Sequence, residues 1–331
     1  MKIRYCIIGA AALLSAASCK PKVVSERPVI PFVSEMIQER ANPGHQLLAS
    51  FDAHDADGNI VVFGPKEEAK PMSAAIFLFD RFDNVDARPV RDSLLDFSGE
   101  VISRVIMADK GPLSDFQTEE GAAELRELTV KAALACIDTL SYRTSKDLRS
   151  YSHKMKGKVV VITPSAMAAY GKYDLDSLMR AFRIADAVFF PFELMADRAL
   201  ARPETRIGIV SQHSPQLYGE FFKYREDAEG HFIGVFPAET VLDEVSVVDT
   251  LALDVLLLDD YSLAADSLRA RFPRVEVVSP GEVTSEACFK AMRKRNIFTH
   301  RVAYPSRETF TASLNDDSEF ILTDSDDREL F

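Results

Sequence analysis

The sequence predicts an α/β protein with mainly parallel sheets, built from two lobes that follow an N-terminal signal segment and a small β-hairpin. Three observations predict this class. From residue 73 onward, short apolar strands alternate with amphipathic helices. The strands are apolar at consecutive positions, which is typical of strands buried on both faces of a parallel sheet. The first twenty residues have the charge and hydropathy pattern of a secretion signal.

The signal segment ends at Cys19. Lys2 and Arg4 precede an apolar run over 5–14, which is too short to span a bilayer, and small residues fill 15–18. This pattern resembles the lipobox of bacterial lipoproteins, although Ala16 stands where leucine is commonest. The resemblance implies that 1–18 is removed and that Cys19 is lipidated, with palmitate among the acyl chains. The signal segment predicts that the protein is exported. Lys20 stands where an aspartate retains some lipoproteins at the inner membrane, so we expect the anchor to lie in the outer membrane of the cell envelope.

Composition restricts the partners of the mature chain. The 331 residues are 47% hydrophobic, which suffices for a large core, and the formal charge of −12 argues against nucleic acid and against anionic lipid surfaces. We therefore expect the membrane to be reached through the lipid alone. Of the four cysteines, only Cys136 and Cys288 remain for the folded region, so a disulfide scaffold is not expected.

The segment 19–72 reads as a tether followed by the small β extension. Prolines discourage regular structure at its start. The region 45–64 has β-prone runs at 46–51 and 60–63 around the turn 57–59, which predicts a hairpin. The aspartates of this region lack the spacing and closing glutamate of a calcium loop, so we interpret them as a polar turn.

The remaining chain carries the α/β pattern. Helices are predicted at 118–140, 174–184 and 281–294, and the predicted strands are 75–79, 104–107, 158–162, 187–190, 206–210, 232–236, 254–258 and 275–278. We assign 73–184 with 264–331 to the first lobe and 185–263 to the second. Ligands of such sheets bind beyond the carboxyl ends of the strands.

Several common site types are missing from the sequence. No glycine-rich phosphate loop follows a strand, no histidine pair has zinc spacing, and no G-x-S-x-G elbow is present. We therefore expect neither a cofactor nor a metal ion.

The loops after the strands, taken in order, resemble those of the aspartate/glutamate racemase family, and of glutamate racemase in particular. The matching segments are AIFLFD at 75–80, DKGPLSDFQTEEGAAEL at 109–125, RIGIVSQHSPQLYGEFFKYR at 206–225, the stretch 254–286 and EFILTDSDDRELF at 319–331. The resemblance implies a cofactor-free fold of two racemase-like lobes and an amino-acid-like ligand. It implies two catalytic cysteines, one on each side of the substrate Cα.

Both cysteine positions are changed here. Thr163 stands in the first and Asp260 in the second, and Ser262 occupies the adjacent histidine position. Removing and returning a Cα proton needs groups that titrate near neutrality, as a thiol does and an aliphatic hydroxyl does not. Cys136 and Cys288 lie in predicted helices, so we interpret them as structural residues.

The candidate site residues follow from these loops. We expect ligand contacts from Asp80, Arg81, Ser114, Thr163, Ser165 and Ser262, and Asp260 is the candidate catalytic residue. The leading hypothesis is a lipid-anchored racemase-like protein without racemase activity that binds a small ligand or a protein partner. Two alternatives stay open: a lyase or isomerase that uses Asp260 as its base, and a solute-binding lipoprotein of the periplasmic type.

Overall fold

A computed structural model describes residues 27–83, 88–91, 94–113, 115–143, 151–184, 186–243, 246–301 and 303–325. Cys19 and the signal segment lie outside the described residues, as does Ser114. Among the helices of the described ranges, none combines the length and the apolar character that crossing a bilayer requires.

Helices and strands alternate along most of the chain. In chain order the elements are α1 (Pro31–Gln38), α2 (Pro43–Ala49), β1 (Asn59–Gly64), α3 (Lys66–Phe77), β2 (Val101–Met107), α4 (Glu119–Ile137), β3 (Leu140–Tyr142), β4 (Tyr151–His153), β5 (Gly157–Ile162), α5 (Ser165–Tyr170), α6 (Lys172–Ala181), β6 (Val188–Phe189), α7 (Pro191–Leu200), β7 (Arg206–Val210), α8 (Pro215–Phe222), β8 (Phe232–Phe236), α9 (Ala238–Leu242), α10 (Val247–Thr250), β9 (Val255–Leu258), α11 (Ala265–Arg271), β10 (Glu276–Val278), α12 (Pro280–Arg295), β11 (Ser306–Leu314) and β12 (Phe320–Asp324).

The chain divides into two compact units. The large unit contains Pro28–Leu194 and Gly281–Phe331, and the small unit contains Met195–Pro280 together with Arg27. Each unit has its own sheet, with four strands in the small unit and eight in the large one.

The sheet of the large unit has the strand order β4-β3-β12-β11-β2-β1-β5-β6. Five adjacent strands, from β11 to β6, run parallel, and antiparallel pairs occur at β11–β12 and β3–β4. Every residue of β1 is buried, because this apolar strand has neighbours on both sides and α3 and α4 pack against it.

Helix α4 shows how local chemistry places the ends of these elements. The Thr118 side chain accepts a hydrogen bond from the Gly121 N–H, and two glutamates occupy the first turn, where they face the positive end of the helix dipole. One face of the helix is apolar and buried, through residues such as Leu125 and Leu128, and it packs against β5.

The small unit contains an all-parallel sheet in the order β10-β9-β7-β8. Its core is formed by apolar side chains from the strands and from the helices beside them, among them Val210, Phe236, Leu256, Leu258 and Phe272. The α/β class with mainly parallel sheets is therefore confirmed.

The predicted hairpin over 45–64 is wrong. Residues 43–49 form α2, which begins with Pro43 at its first position and with the Asn42 side chain accepting from the Gly44 N–H. Strand β1 pairs in parallel with β2 and β5 rather than with 46–51. The region 28–72 is thus part of the large unit, with β1 at the centre of its sheet, and is not a separate extension.

The strand predicted at 75–79 is also wrong. Most of this run belongs to α3, whose buried residues Ala69, Met72, Ser73 and Ile76 recur at the spacing of one helix face. A five-residue apolar run fits a buried strand and a buried helix turn equally well, and the preceding residues decide between them.

The predicted lobe boundary differs from that of the structure at both ends. Strand β10 pairs with β9, so α11 and β10 belong to the small unit, whereas the sequence placed 264–280 in the first lobe. The large unit extends to Leu194 rather than to 184.

Candidate functional site

Thr163 lies at the carboxyl end of β5, where the family resemblance places the first cysteine. Its N–H donates to the Phe63 carbonyl at 2.9 Å, and its hydroxyl donates to Oε2 of Glu68 at 2.8 Å. Thr163 is 1% exposed, and Ser165, which begins α5, is buried as well. The hydroxyl therefore links the loop after β5 to the first turn of α3.

Charged residues also follow β1 and β2, two adjacent strands in the sheet of the large unit. Lys110, just after β2, forms an ion pair with Glu67 in the first turn of α3. The hydrogen bond from Lys110 outweighs desolvation and holds the pKa of Glu67 below its usual value. Asp109 accepts a hydrogen bond from the Gly111 N–H at 2.8 Å. With Glu68 and Lys66, which flank Glu67, this strand edge carries three carboxylates and two ammonium groups, a small net negative charge that disfavours a dicarboxylate ligand.

Asp260 and Ser262 lie after β9 in the small unit. Oδ1 of Asp260 accepts hydrogen bonds from the Ser262 N–H at 3.0 Å and from the Ser262 hydroxyl at 2.6 Å. This is the pattern of an Asx turn, in which an aspartate side chain shapes the following loop. The structure therefore brings these two predicted residues together, in a local turn.

A buried hydrogen-bond chain lies beside that turn. The Tyr218 hydroxyl donates to Oδ2 of Asp259 at 2.5 Å, and it lies within hydrogen-bond distance, 2.6 Å, of the Ser211 hydroxyl. The three residues come from α8, from the end of β9 and from the end of β7, and each is less than 9% exposed. These hydrogen bonds therefore link α8 to the carboxyl ends of β7 and β9.

Replacing Tyr218 with phenylalanine tests the energy of this network. The variant leaves a buried carboxylate and a buried serine without the phenol, so we expect the free energy of unfolding to fall by about 2–3 kcal/mol. Urea unfolding followed by circular dichroism measures the change. Tyr173→Phe is the matched control, since Tyr173 is 37% exposed, and it should change stability little. Equal stability of the two variants would contradict the proposed role.

Both thiols of the described residues are unsuited to acid–base catalysis. Cys136 lies in α4 and Cys288 in α12, and both are 0% exposed. Burial raises the pKa of the Cys136 thiol to about 12 and raises that of Cys288 as well. A thiol of this kind holds its proton near neutrality, in agreement with the structural role inferred from the sequence.

Asp80 and Arg81 do not follow a strand, contrary to the prediction, because the run before them is helical. They lie just after α3, where they line a cavity of about 340 Å³. Thr163, Glu67 and Glu68 are not among the residues that line this cavity. The first turn of α3, which follows β1, instead carries Glu67 and Glu68, two residues that the predicted hairpin left out of the site. Within the described ranges, no group of three histidine, cysteine or acidic side chains is placed to hold a metal ion.

The chain is similar in fold to solved structures of glutamate racemases and maleate isomerases. Glutamate racemase from Thermus thermophilus has 13% identity and a TM-score of 0.48, over 80% of this chain and 91% of that chain. Isoform RacE1 from Bacillus anthracis has 14% identity and a TM-score of 0.47, over 83% and 99%. Maleate cis-trans isomerase from Nocardia farcinica has 12% identity and a TM-score of 0.38, over 71% and 92%.

No protein-family model matches the chain, and no curated protein matches its sequence. At these identities and TM-scores the likeness to the solved structures is one of fold alone.

Proposed function

We propose that this protein is an exported lipoprotein, anchored to the cell envelope through Cys19, whose racemase-like fold binds a small ligand without racemising it. The observation that carries the proposal is the state of the two racemase cysteine positions. Thr163 directs its hydroxyl proton at Glu68, and Asp260 holds the turn at Ser262. Neither arrangement supplies a thiolate and a thiol on opposite sides of a substrate.

The remaining thiols support the same proposal. Cys136 and Cys288 are fully buried in helices, so they are not available to take a proton from a bound substrate. The acidic residues at the strand ends of the large unit also argue against the dicarboxylic amino acids that glutamate racemases act on.

Hydrogen–deuterium exchange at the substrate Cα tests the absence of racemisation. The full-length protein, purified in detergent, is incubated in D2O with L- and D-glutamate and with L- and D-aspartate, and NMR follows the Cα proton. We expect exchange at the buffer rate. Faster exchange that Glu68→Gln or Asp260→Asn abolishes would overturn the proposal and favour an isomerase that uses a carboxylate base.

Labelling with radioactive palmitate tests the anchor. The full chain is expressed in a bacterial host, and lipid incorporation and membrane fractionation are measured together. We expect label and membrane association in the wild type and in Cys6→Ser, and neither in Cys19→Ser. Cys6 is a matched control because it lies in the same segment. Labelled Cys19→Ser protein in the membrane fraction would contradict the assignment of Cys19.

A further inference from the structure

The turn after α3 is held in one shape by a buried carboxylate. Oδ2 of Asp96 accepts from the Arg81 N–H at 2.8 Å and from the Phe82 N–H at 3.2 Å, and the Asp96 N–H donates to the Phe79 carbonyl at 2.9 Å. Asp96 is 3% exposed. Asp80 is therefore presented by a backbone that is fixed before any ligand arrives, which lowers the entropy cost of binding.

One carboxylate oxygen of Asp80 lacks a hydrogen bond. Oδ1 of Asp80 is buried and has no hydrogen-bond donor among the described residues. A buried acceptor in this state costs free energy, and a ligand that brings a donor recovers it. A cationic N–H donor recovers the most free energy, because hydrogen bonds between charged groups are stronger than those between neutral groups.

The neighbouring arginine does not satisfy this carboxylate. The Arg81 guanidinium lies 3.2 Å from Glu282 and 4.0 Å from Glu286, both in α12, and so it is engaged with that helix. Two acidic residues, Asp80 and Glu282, line the cavity. Glu282 pairs with Arg81, whereas Oδ1 of Asp80 has no donor among the described residues.

The cavity wall combines charged and apolar side chains. Leu78, Phe79 and Leu95 supply its apolar part, and Arg91, an exposed residue, lines it as well. A volume of about 340 Å³ lies within the usual range for small-molecule sites. We infer that this cavity binds a small ligand that carries a primary ammonium group on an apolar body, with the ammonium donating to Asp80. The inference rests on the ligand binding in the proposed function.

Two sources share this chemistry, a simple alkylamine and an apolar amino acid. Calorimetric titration of the full-length protein in detergent with 3-methylbutylamine and with L-leucine distinguishes them. The matched compound 4-methylpentanoate has the same branched body and no ammonium group. Asp80→Asn keeps the shape of the side chain and removes its charge, and Asp316→Asn makes the same change at an exposed site of the same unit.

We expect at least one of the two amines to bind and 4-methylpentanoate to fail. We expect Asp80→Asn to weaken binding by about tenfold or more. Asp316→Asn should bind as the wild type does. Stronger binding of L-leucine that Arg91→Ala reduces to the level of the alkylamine identifies an amino acid as the ligand, whereas binding of the alkylamine alone identifies a simple amine.

Two results would overturn the inference: no binding of either amine, or binding that Asp80→Asn leaves unchanged. The melting temperature of Asp80→Asn separates a lost site from a lost fold, and we expect it to equal or exceed that of the wild type, because the variant removes an unsatisfied buried charge. A negative titration leaves the palmitate and exchange results standing, so failure of this inference is distinct from failure of the proposed function.

Discussion

Replacing Glu100 with glutamine is expected to lower the free energy of unfolding by about 3–5 kcal/mol, because it leaves a buried ammonium group without its counter-ion. Lys158 and Glu100 are each 1% exposed, and Nζ lies 2.7 Å from Oε2. The Lys158 ammonium also donates to the carbonyls of Ala56 and Ile297, at 2.8 and 2.9 Å, while Glu100 accepts from the Thr299 N–H at 2.7 Å. The pair and its hydrogen bonds therefore join four separate segments of the large unit.

The pH dependence of this variant has a defined sign. Burial lowers the pKa of Lys158, so between that pKa and the unfolded value of about 10.4 the unfolded chain binds more protons than the folded chain. Stability from this group therefore rises with pH in that window. The loss of Glu100 lowers the pKa further, so the deficit of Glu100→Gln should shrink between neutral and alkaline pH.

Urea unfolding of the variant at several pH values measures both effects. Glu100→Gln/Lys158→Met is the control, since it removes both charges, and we expect it to be more stable than the single variant. A Glu100→Gln protein within 1 kcal/mol of the wild type at neutral pH would show that the pair contributes less than its burial implies.

Replacing Gly64 with alanine should destabilise the strand-end loop of the large unit by about 2–4 kcal/mol. Gly64 ends β1 with φ of +156°, a conformation that side chains disfavour. A Cβ there would lie 2.0 Å from Oγ1 of Thr163 and 3.3 Å from Cδ of Pro164. Thr163 would have to move, and its hydrogen bond to Glu68 would be lost.

A double variant separates the steric part of this effect from the backbone strain. Gly64→Ala should cost less in a Thr163→Ala background, where the obstructing oxygen is absent, although the strain at φ remains. Gly219→Ala is the matched control: its Cβ would meet nothing within 4 Å, and alanine favours the helix α8. Urea unfolding of all four variants provides the measurement, and wild-type stability of Gly64→Ala would contradict this close packing of Gly64 against Thr163.

The sequence was most informative where strand and helix patterns do not compete. Strands β7 and β8 were predicted at their observed bounds, and α12 within two residues, because residues typical of turns and loops border each of them. Two five- to six-residue apolar runs were misread, since β1 was taken for a hairpin arm and the end of α3 for a strand. Short runs carry no period of their own.

The errors at β1 and α3 also limited which site residues could be predicted. Thr163, Ser165, Asp260 and Ser262 follow correctly predicted strands and lie at strand ends, as expected. Asp80 and Arg81 were assigned through the wrong strand, and Glu68 was missed. The buried contact of Tyr218 with Asp259 has no sequence signal, because it depends on three segments meeting in space.

The fit around Thr163 ties two distant positions of the chain to each other. A Cβ at Gly64 would lie 2.0 Å from Oγ1 of Thr163, so the hydroxyl occupies the space that any side chain at 64 would need. A side chain at 64 is therefore compatible only with a smaller residue at 163 or with a displaced loop. Chains that keep this loop should accordingly change positions 64 and 163 together and not one at a time.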